Sequence, residues 1–241
     1  MPCNKLWKSC LCVVVDVKKF VQKIAVVLLV LLVASQLVLC VYLCNKNPSQ
    51  GTGSVNFTIV VDAGHGGIDG GVQVDGVKES DLNLAYSKSL GNLLEMCGFN
   101  VVYTRHGKDG LYGLPTQGFK RRDMQKRQQI ILQSNANLVV SIHMNKFSQS
   151  IRSGPQVFYQ SGSDSQFAQS VQQSLNSFTG NAHSALGGDF FVCRVSPCPA
   201  IIVECGFLSN PTDWQNLQTD VYRQQICQSI FNGMMLYLYS T

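Results

Sequence analysis

The sequence predicts an α/β fold, with a mostly parallel, mixed and twisted sheet covered by helices on both faces and preceded by one N-terminal transmembrane helix. Three observations carry this. Short β-branched runs alternate with segments of helical period, the pattern of strands joined by crossover helices. Three of those runs end in a side chain that can do chemistry: Ile59-Val60-Val61-Asp62-Ala63-Gly64-His65, Leu138-Val139-Val140-Ser141-Ile142-His143 and Ile201-Ile202-Val203-Glu204. Residues 24–44 hold no charged residue and are rich in Leu and Val, long enough to cross a bilayer.

Along the chain, residues 56–62 read as a strand and 64–71 as a glycine-rich loop. A helix over 82–97 follows, with Leu82, Ala85, Leu90, Leu93 and Leu94 on one stripe and Gly98 just past its end. The pattern then gives a strand over 100–105, a loop over 111–118, a helix over 122–135 and a strand over 138–143. Further on it gives a strand over 155–160, a helix over 165–178, and strands over 190–194 and 200–204 flanking a proline-containing turn. Pro211 opens a final helical region whose main helix covers 222–239. The organisation is therefore a basic segment 1–23, an anchor 24–44, a linker 45–55 and one globular domain 56–241. No internal repeat is visible.

Charge locates the anchor rather than a polyanionic partner. Lys5, Lys8, Lys18, Lys19 and Lys23 against Asp16 supply four of the net five positive charges, leaving about one for the rest. The basic balance flanks the apolar run, which argues against nucleic acid and places the N-terminus in the cytoplasm with the globular domain outside. A cleaved signal peptide would have a shorter apolar run ending at small residues, whereas this one exits through Leu39-Cys40-Val41-Tyr42-Leu43-Cys44. Five of the ten cysteines lie in the N-terminal part. Cys97, Cys193, Cys198, Cys205 and Cys227 remain, an odd number with no CxxC pair. They read as mostly free, buried thiols, with Cys193 and Cys198 the one pair spaced to bridge.

The three strand ends suggest a metal hydrolase. Sites in open α/β sheets lie at the carboxyl edge of the strands, and a catalytic zinc takes about three ligands from His and Asp/Glu. His65 and His143 supply two. On spacing alone Glu79 competes for the third place with Asp62, Asp69, Asp75 and Asp81, and Asp81 also suits an N-cap before Leu82. His106 and His183 end no strand and read as exposed. Alternation along the last strand points Cys205 away from the face bearing Glu204, which disfavours a thiol hydrolase.

Taken in order, Val61-Asp62-Ala63-Gly64-His65-Gly66-Gly67, Glu79, Thr104-Arg105, Asp123 with Arg127, Ser141-Ile142-His143-Met144-Asn145 and Val203-Glu204-Cys205-Gly206-Phe207-Leu208-Ser209-Asn210 resemble the zinc-dependent N-acetylmuramoyl-L-alanine amidases of the Amidase_3 type. The resemblance spans about residues 57–239, departing only at Ala63, where proline is frequent, and Cys205, where a small aliphatic residue is usual. It implies one zinc per chain, held by His65, Glu79 and His143, with Glu204 as the catalytic carboxylate. The bond implied is the amide between N-acetylmuramic acid and L-alanine of peptidoglycan. Asp62 would orient a ligand histidine or simply close its strand. Arg105 and Arg127 would bind stem-peptide carboxylates or form inter-element ion pairs, and Asn145 would hold substrate or cap its loop.

A short anchored amidase of this kind is similar to the germination-specific enzymes that make muramic-δ-lactam in spore cortex. No wall-binding repeats follow the matched region, so targeting falls to the anchor or to an activating protein partner. The stretch between Tyr159 and Phe190 has room for about one helix and predicts no built-in plug over the site. Two other classes compete. A tethered peptidoglycan-binding module without turnover would show a damaged ligand set. A zinc peptidase cutting within the stem would look the same, and only its products would differ.

Overall fold

A computed structural model describes residues 57–240. The predicted anchor, its basic flank and the linker lie outside the described residues. No helix among the described residues is long and apolar enough to cross a membrane.

Eight strands and six helices form the domain. The strands are β1 (Thr58–Ala63), β2 (Gln73–Val74), β3 (Val77–Lys78), β4 (Asn100–Tyr103), β5 (Leu138–Asn145), β6 (Gln156–Gln160), β7 (Leu186–Gly188) and β8 (Ala200–Phe207). The helices are α1 (Glu79–Met96), α2 (Phe119–Gln133), α3 (Gln166–Thr179), α4 (Phe191–Val195), α5 (Pro211–Leu217) and α6 (Asp220–Ser240). Six strands make one sheet in the order β4-β1-β5-β8-β6-β7. The first four run parallel, while β6 pairs antiparallel with β8 and carries β7 parallel to itself. The sheet is thus mixed and mostly parallel, with the three site-bearing strands β1, β5 and β8 side by side at its centre.

Strand alternation sorts the two faces. Ile59, Val61, Val140, Ile142, Val203 and Cys205 turn to one face and join α1, α3 and α6 in the larger core. Val60 and Val139 turn to the other, where Ile131 of α2 and Val192 of α4 cover them. Each such fully buried aliphatic side chain contributes about 1.5–3 kcal/mol, so the central strands hold the sheet rigid beneath their polar ends. By the same parity Asp62, Ser141, His143 and Glu204 emerge on the α2/α4 face. Cys205, on the opposite parity, is fully buried, and burial pushes its thiol well up. All five cysteines of the domain are free, three of them buried.

Three expectations are corrected. Residues 190–194 form no strand but run into the one-turn helix α4. Val192 and Cys193 are both buried there, which adjacent residues of a strand on opposite faces would not achieve as one contact surface. Helix α1 starts at Glu79 rather than 82, so Asp81 is no N-cap; Lys78 holds that position and Asp81 sits in the first turn, at the positive end of the helix dipole. His183 is half-buried, its Nδ1 3.1 Å from the Pro155 carbonyl, rather than exposed. The stretch between β6 and α4 contains α3 and β7, and α3 lies against α6.

Candidate metal and catalytic site

The glycine-rich loop contains more structure than its composition suggests. After β1 the chain turns at His65, whose φ of 59° is left-handed and strained for a residue with a side chain. Paired backbone bonds between Gly66 and Asp69 close the turn. Strands β2 and β3 then form a two-residue hairpin through Asp75 and Gly76, both at positive φ, as a tight hairpin turn requires. The hairpin returns the chain so that α1 begins at Glu79, directly beside the end of β1. Asp75-Gly76 between Val74 and Val77 is a hairpin signal the sequence reading passed over.

His65, Glu79 and His143 converge with ligand atoms all within 4.8 Å of one another. Glu79 Oε1 lies 3.0 Å from His143 Nδ1 and 3.2 Å from His65 Nε2, and the two rings stand edge to face with centroids 5.1 Å apart. The Glu79 carboxylate is 3 % exposed. It accepts from the backbone N–H of Val72 and Met144 and from Asn83 Nδ2. Burial opposes its charge, but the two imidazoles outweigh burial and hold its pKa well below the carboxylate range. Burial likewise disfavours a charged His65, yet Glu79 and Asp69 draw its pKa up to about 9. The same pull acts on any cation placed between these groups.

Two glycines make the approach possible. A Cβ on Gly64 would lie 2.2 Å from the His143 ring, and one on Gly71 would lie 2.4 Å from Glu79 Oε2. Gly64→Ala is therefore expected to displace His143 and to weaken divalent-metal binding by about 10–100-fold, the scale of lost support around a ligand. Chelator competition measures the affinity, and circular dichroism checks that helix content is kept. Unchanged affinity would mean that the cluster does not hold the metal.

Glu204 faces the cluster from the neighbouring strand, as the register partner of His143 on the same side of the sheet. Its Oε2 is buried without a hydrogen-bond partner. Burial raises its pKa, and with Glu79 outweighing part of the opposing pull of His143 and His65 it reaches about 7. A buried carboxylate oxygen without a partner, on the strand position opposite His143, is suited to exchange a proton with a small molecule held at the cluster.

The remaining sequence candidates take other positions. Arg127, 2 % exposed, donates to Asp62, Asp123 and the carbonyls of Ala63 and His65. Arg105, 4 % exposed, donates to the carbonyls of Ala63, Gly64, Ser80 and Gly107. Both guanidinium groups lie under the site with four of five N–H groups engaged, which favours the structural reading of the two left open by the sequence. They clamp the backbone on either side of His65 and just after Glu79. Asp62 makes no hydrogen bond to His65 or His143. It accepts from Thr104, Ser141 and Arg127, and although burial opposes its charge these partners hold its pKa down at about 2. Asn145 uses its Oδ1 locally, accepting from Lys146 N–H. His106 packs on Tyr103, away from the cluster.

One residue, Asn83, emerges only from the structure, and Asp69, one of the rivals for the third place, takes a flanking position. Asn83 is fully buried and donates to both Gly64 O and Glu79 Oε1, tying the loop to the helix. Its place one turn after Glu79 was the available signal. Asp69 Oδ2 lies 3.0 Å from His65 Nδ1, within ion-pair reach though off the line of a hydrogen bond.

A mixed α/β sheet with two imidazoles and a carboxylate gathered at the carboxyl edge of its central strands defines a class of protein whose site could hold a metal ion. The chain belongs to the Amidase_3 family, described as N-acetylmuramoyl-L-alanine amidase, whose profile matches residues 59–235. It is 30% identical over 187 residues to the germination-specific N-acetylmuramoyl-L-alanine amidase of Bacillus subtilis strain 168, covering 74% of this chain and 78% of that protein. Among solved structures it resembles the CwlD amidase of Clostridioides difficile in complex with the GerS lipoprotein, with a TM-score of 0.74 and 33% identity over 77% of this chain and 100% of that one. It also resembles an N-acetylmuramoyl-L-alanine amidase from Clostridium difficile 630, with a TM-score of 0.68 and 30% identity over 77% of this chain and 98% of that one. The protein is thus an enzyme, a peptidoglycan amidase.

Proposed function

We propose that this amidase depends on one zinc ion per chain, held by His65, Glu79 and His143, with Glu204 as the proton-transferring group. The observation that carries this reading is the convergence of the three donors within 4.8 Å beside a buried carboxylate oxygen without a partner. Two imidazoles and one carboxylate suit a catalytic zinc, which keeps a further position open. When bound, zinc supplies Lewis acidity toward the scissile carbonyl and an acidified water. Glu204 takes a proton from the attacking water and delivers it to the leaving amine of L-alanine. Asn83, Arg105 and Arg127 keep the segments carrying His65 and Glu79 in register. Dialysis against a chelator is expected to abolish turnover, and equimolar zinc to restore it. Full activity in protein shown to be metal-free would overturn the zinc assignment.

The biological setting follows from kinship and from the N-terminal segment. Likeness to the germination-specific amidase of Bacillus subtilis supports a role in forming muramic-δ-lactam of spore cortex. A deletion strain whose cortex kept normal δ-lactam content would contradict it. The apolar run at 24–44 with its lysine flank supports a single-pass anchor that holds the enzyme on the outer side of a membrane. The neighbour solved with a lipoprotein supports an activating or targeting protein partner for this chain as well.

A further inference from the structure

Beside the cluster lies a pocket of about 340 Å³ between α2 and α4. His65 and His143 border it at one end, and Met124, Phe191, Val192 and Ile202 give it an apolar wall. Buried Arg127 and Ile202 close it below. Lys120, on the first turn of α2, stands on its rim and is 68% exposed.

The carboxylates around this pocket already have partners. Asp62 and Asp123 accept from Arg127, Asp189 from Arg194, and Asp69 lies against His65. Lys120 reaches only Asp69, at the long distance of 3.6 Å, so its ammonium keeps donors for an incoming anion. The substrate's shape adds a constraint. A glycan strand continues in both directions from every muramic acid and suits an open surface better than a pocket bounded by α2 and α4, whereas the stem peptide is a side branch that starts at the scissile amide. Its first residue carries a methyl group, suited to the apolar wall, and carboxylates follow.

We propose that this pocket receives the first residues of the stem peptide and that Lys120 is a specificity-determining residue that pairs with a stem-peptide carboxylate. The proposal rests on the amidase reading and transfers to Lys120 the recognition that the inward-facing Arg105 and Arg127 do not perform.

The test uses the zinc-loaded full chain and two muropeptides identical except that the carboxylate of the second stem residue is free in one and amidated in the other. The wild type is expected to favour the free acid. Lys120→Met should raise KM for the acid about tenfold, the scale of a lost charge-assisted hydrogen bond, with kcat and zinc content kept. The preference for acid over amide should then disappear, and Lys120→Arg should restore it. A wild type indifferent to amidation would overturn the assignment, as would a K120M variant that loses equally on both substrates or loses kcat instead. Wild-type cleavage of either muropeptide bears on the amidase reading by itself, so the two failures are distinguishable.

Discussion

Glu204→Gln is expected to lower kcat by roughly 10²–10⁴-fold, the range spanned by a positioned general base and acid, while its metal content stays equal to that of the wild type. Glutamine keeps the shape of the side chain on β8 and its place opposite His143, so strand register and ligand geometry are left alone. What it removes is the ionisable oxygen, Oε2, that lies buried without a partner. No other described carboxylate can take over. Glu79 is saturated by Val72, Asn83, Met144 and the two imidazoles, and Asp69 sits on the far side of His65. Single-turnover rates with metal analysis on the same sample decide the matter. Retention of kcat within about threefold would show that proton transfer uses another group.

Arg127→Met should have the largest effect on stability, about 3–5 kcal/mol, because it breaks a buried charge network by removing one member. Methionine fills comparable space, so the loss is electrostatic. Asp62 and Asp123 would keep their burial and lose their shared cation, and the carbonyls of Ala63 and His65 would lose a donor. Urea unfolding at neutral pH measures the loss, and a change below about 1 kcal/mol would show that the network does not hold the site. Acid provides a second readout. The folded-state pKa of Asp62, about 2, lies below its ordinary 3.8. Its contribution is therefore complete above about pH 4 and is lost as pH falls from there through 2. That acid-dependent loss should be much smaller in R127M, which lacks the main partner of the charged form.

The central architecture was legible because its signals are local. Runs such as Ile59–Val61 and Leu138–Val140 are rich in β-branched residues and are soon followed by a polar residue and a loop, the signature of buried strands, and each delivers one polar residue to the same edge of the sheet. The identity of the third cluster residue was not local. Five acids lay within reach of His65 by spacing, and only the Asp75-Gly76 hairpin, which sets the start of α1, brings Glu79 to the site. The role of the arginines stayed open for a related reason. A charge in a sequence gives no direction, and Arg105 and Arg127 turn inward because a loop strained at His65 leaves carbonyls of Ala63, Gly64 and His65 needing donors. Residues 190–194 failed through length, since four apolar residues followed by Arg194 satisfy one helical turn as well as a strand.

The most direct test of the account is digestion of purified peptidoglycan by the zinc-loaded full chain, with released ends identified by mass spectrometry and E204Q run in parallel. New N-terminal L-alanine is expected together with intact, peptide-free muramic acid, both absent from the E204Q digest. Ends created inside the stem peptide, or equal product from E204Q, would contradict it.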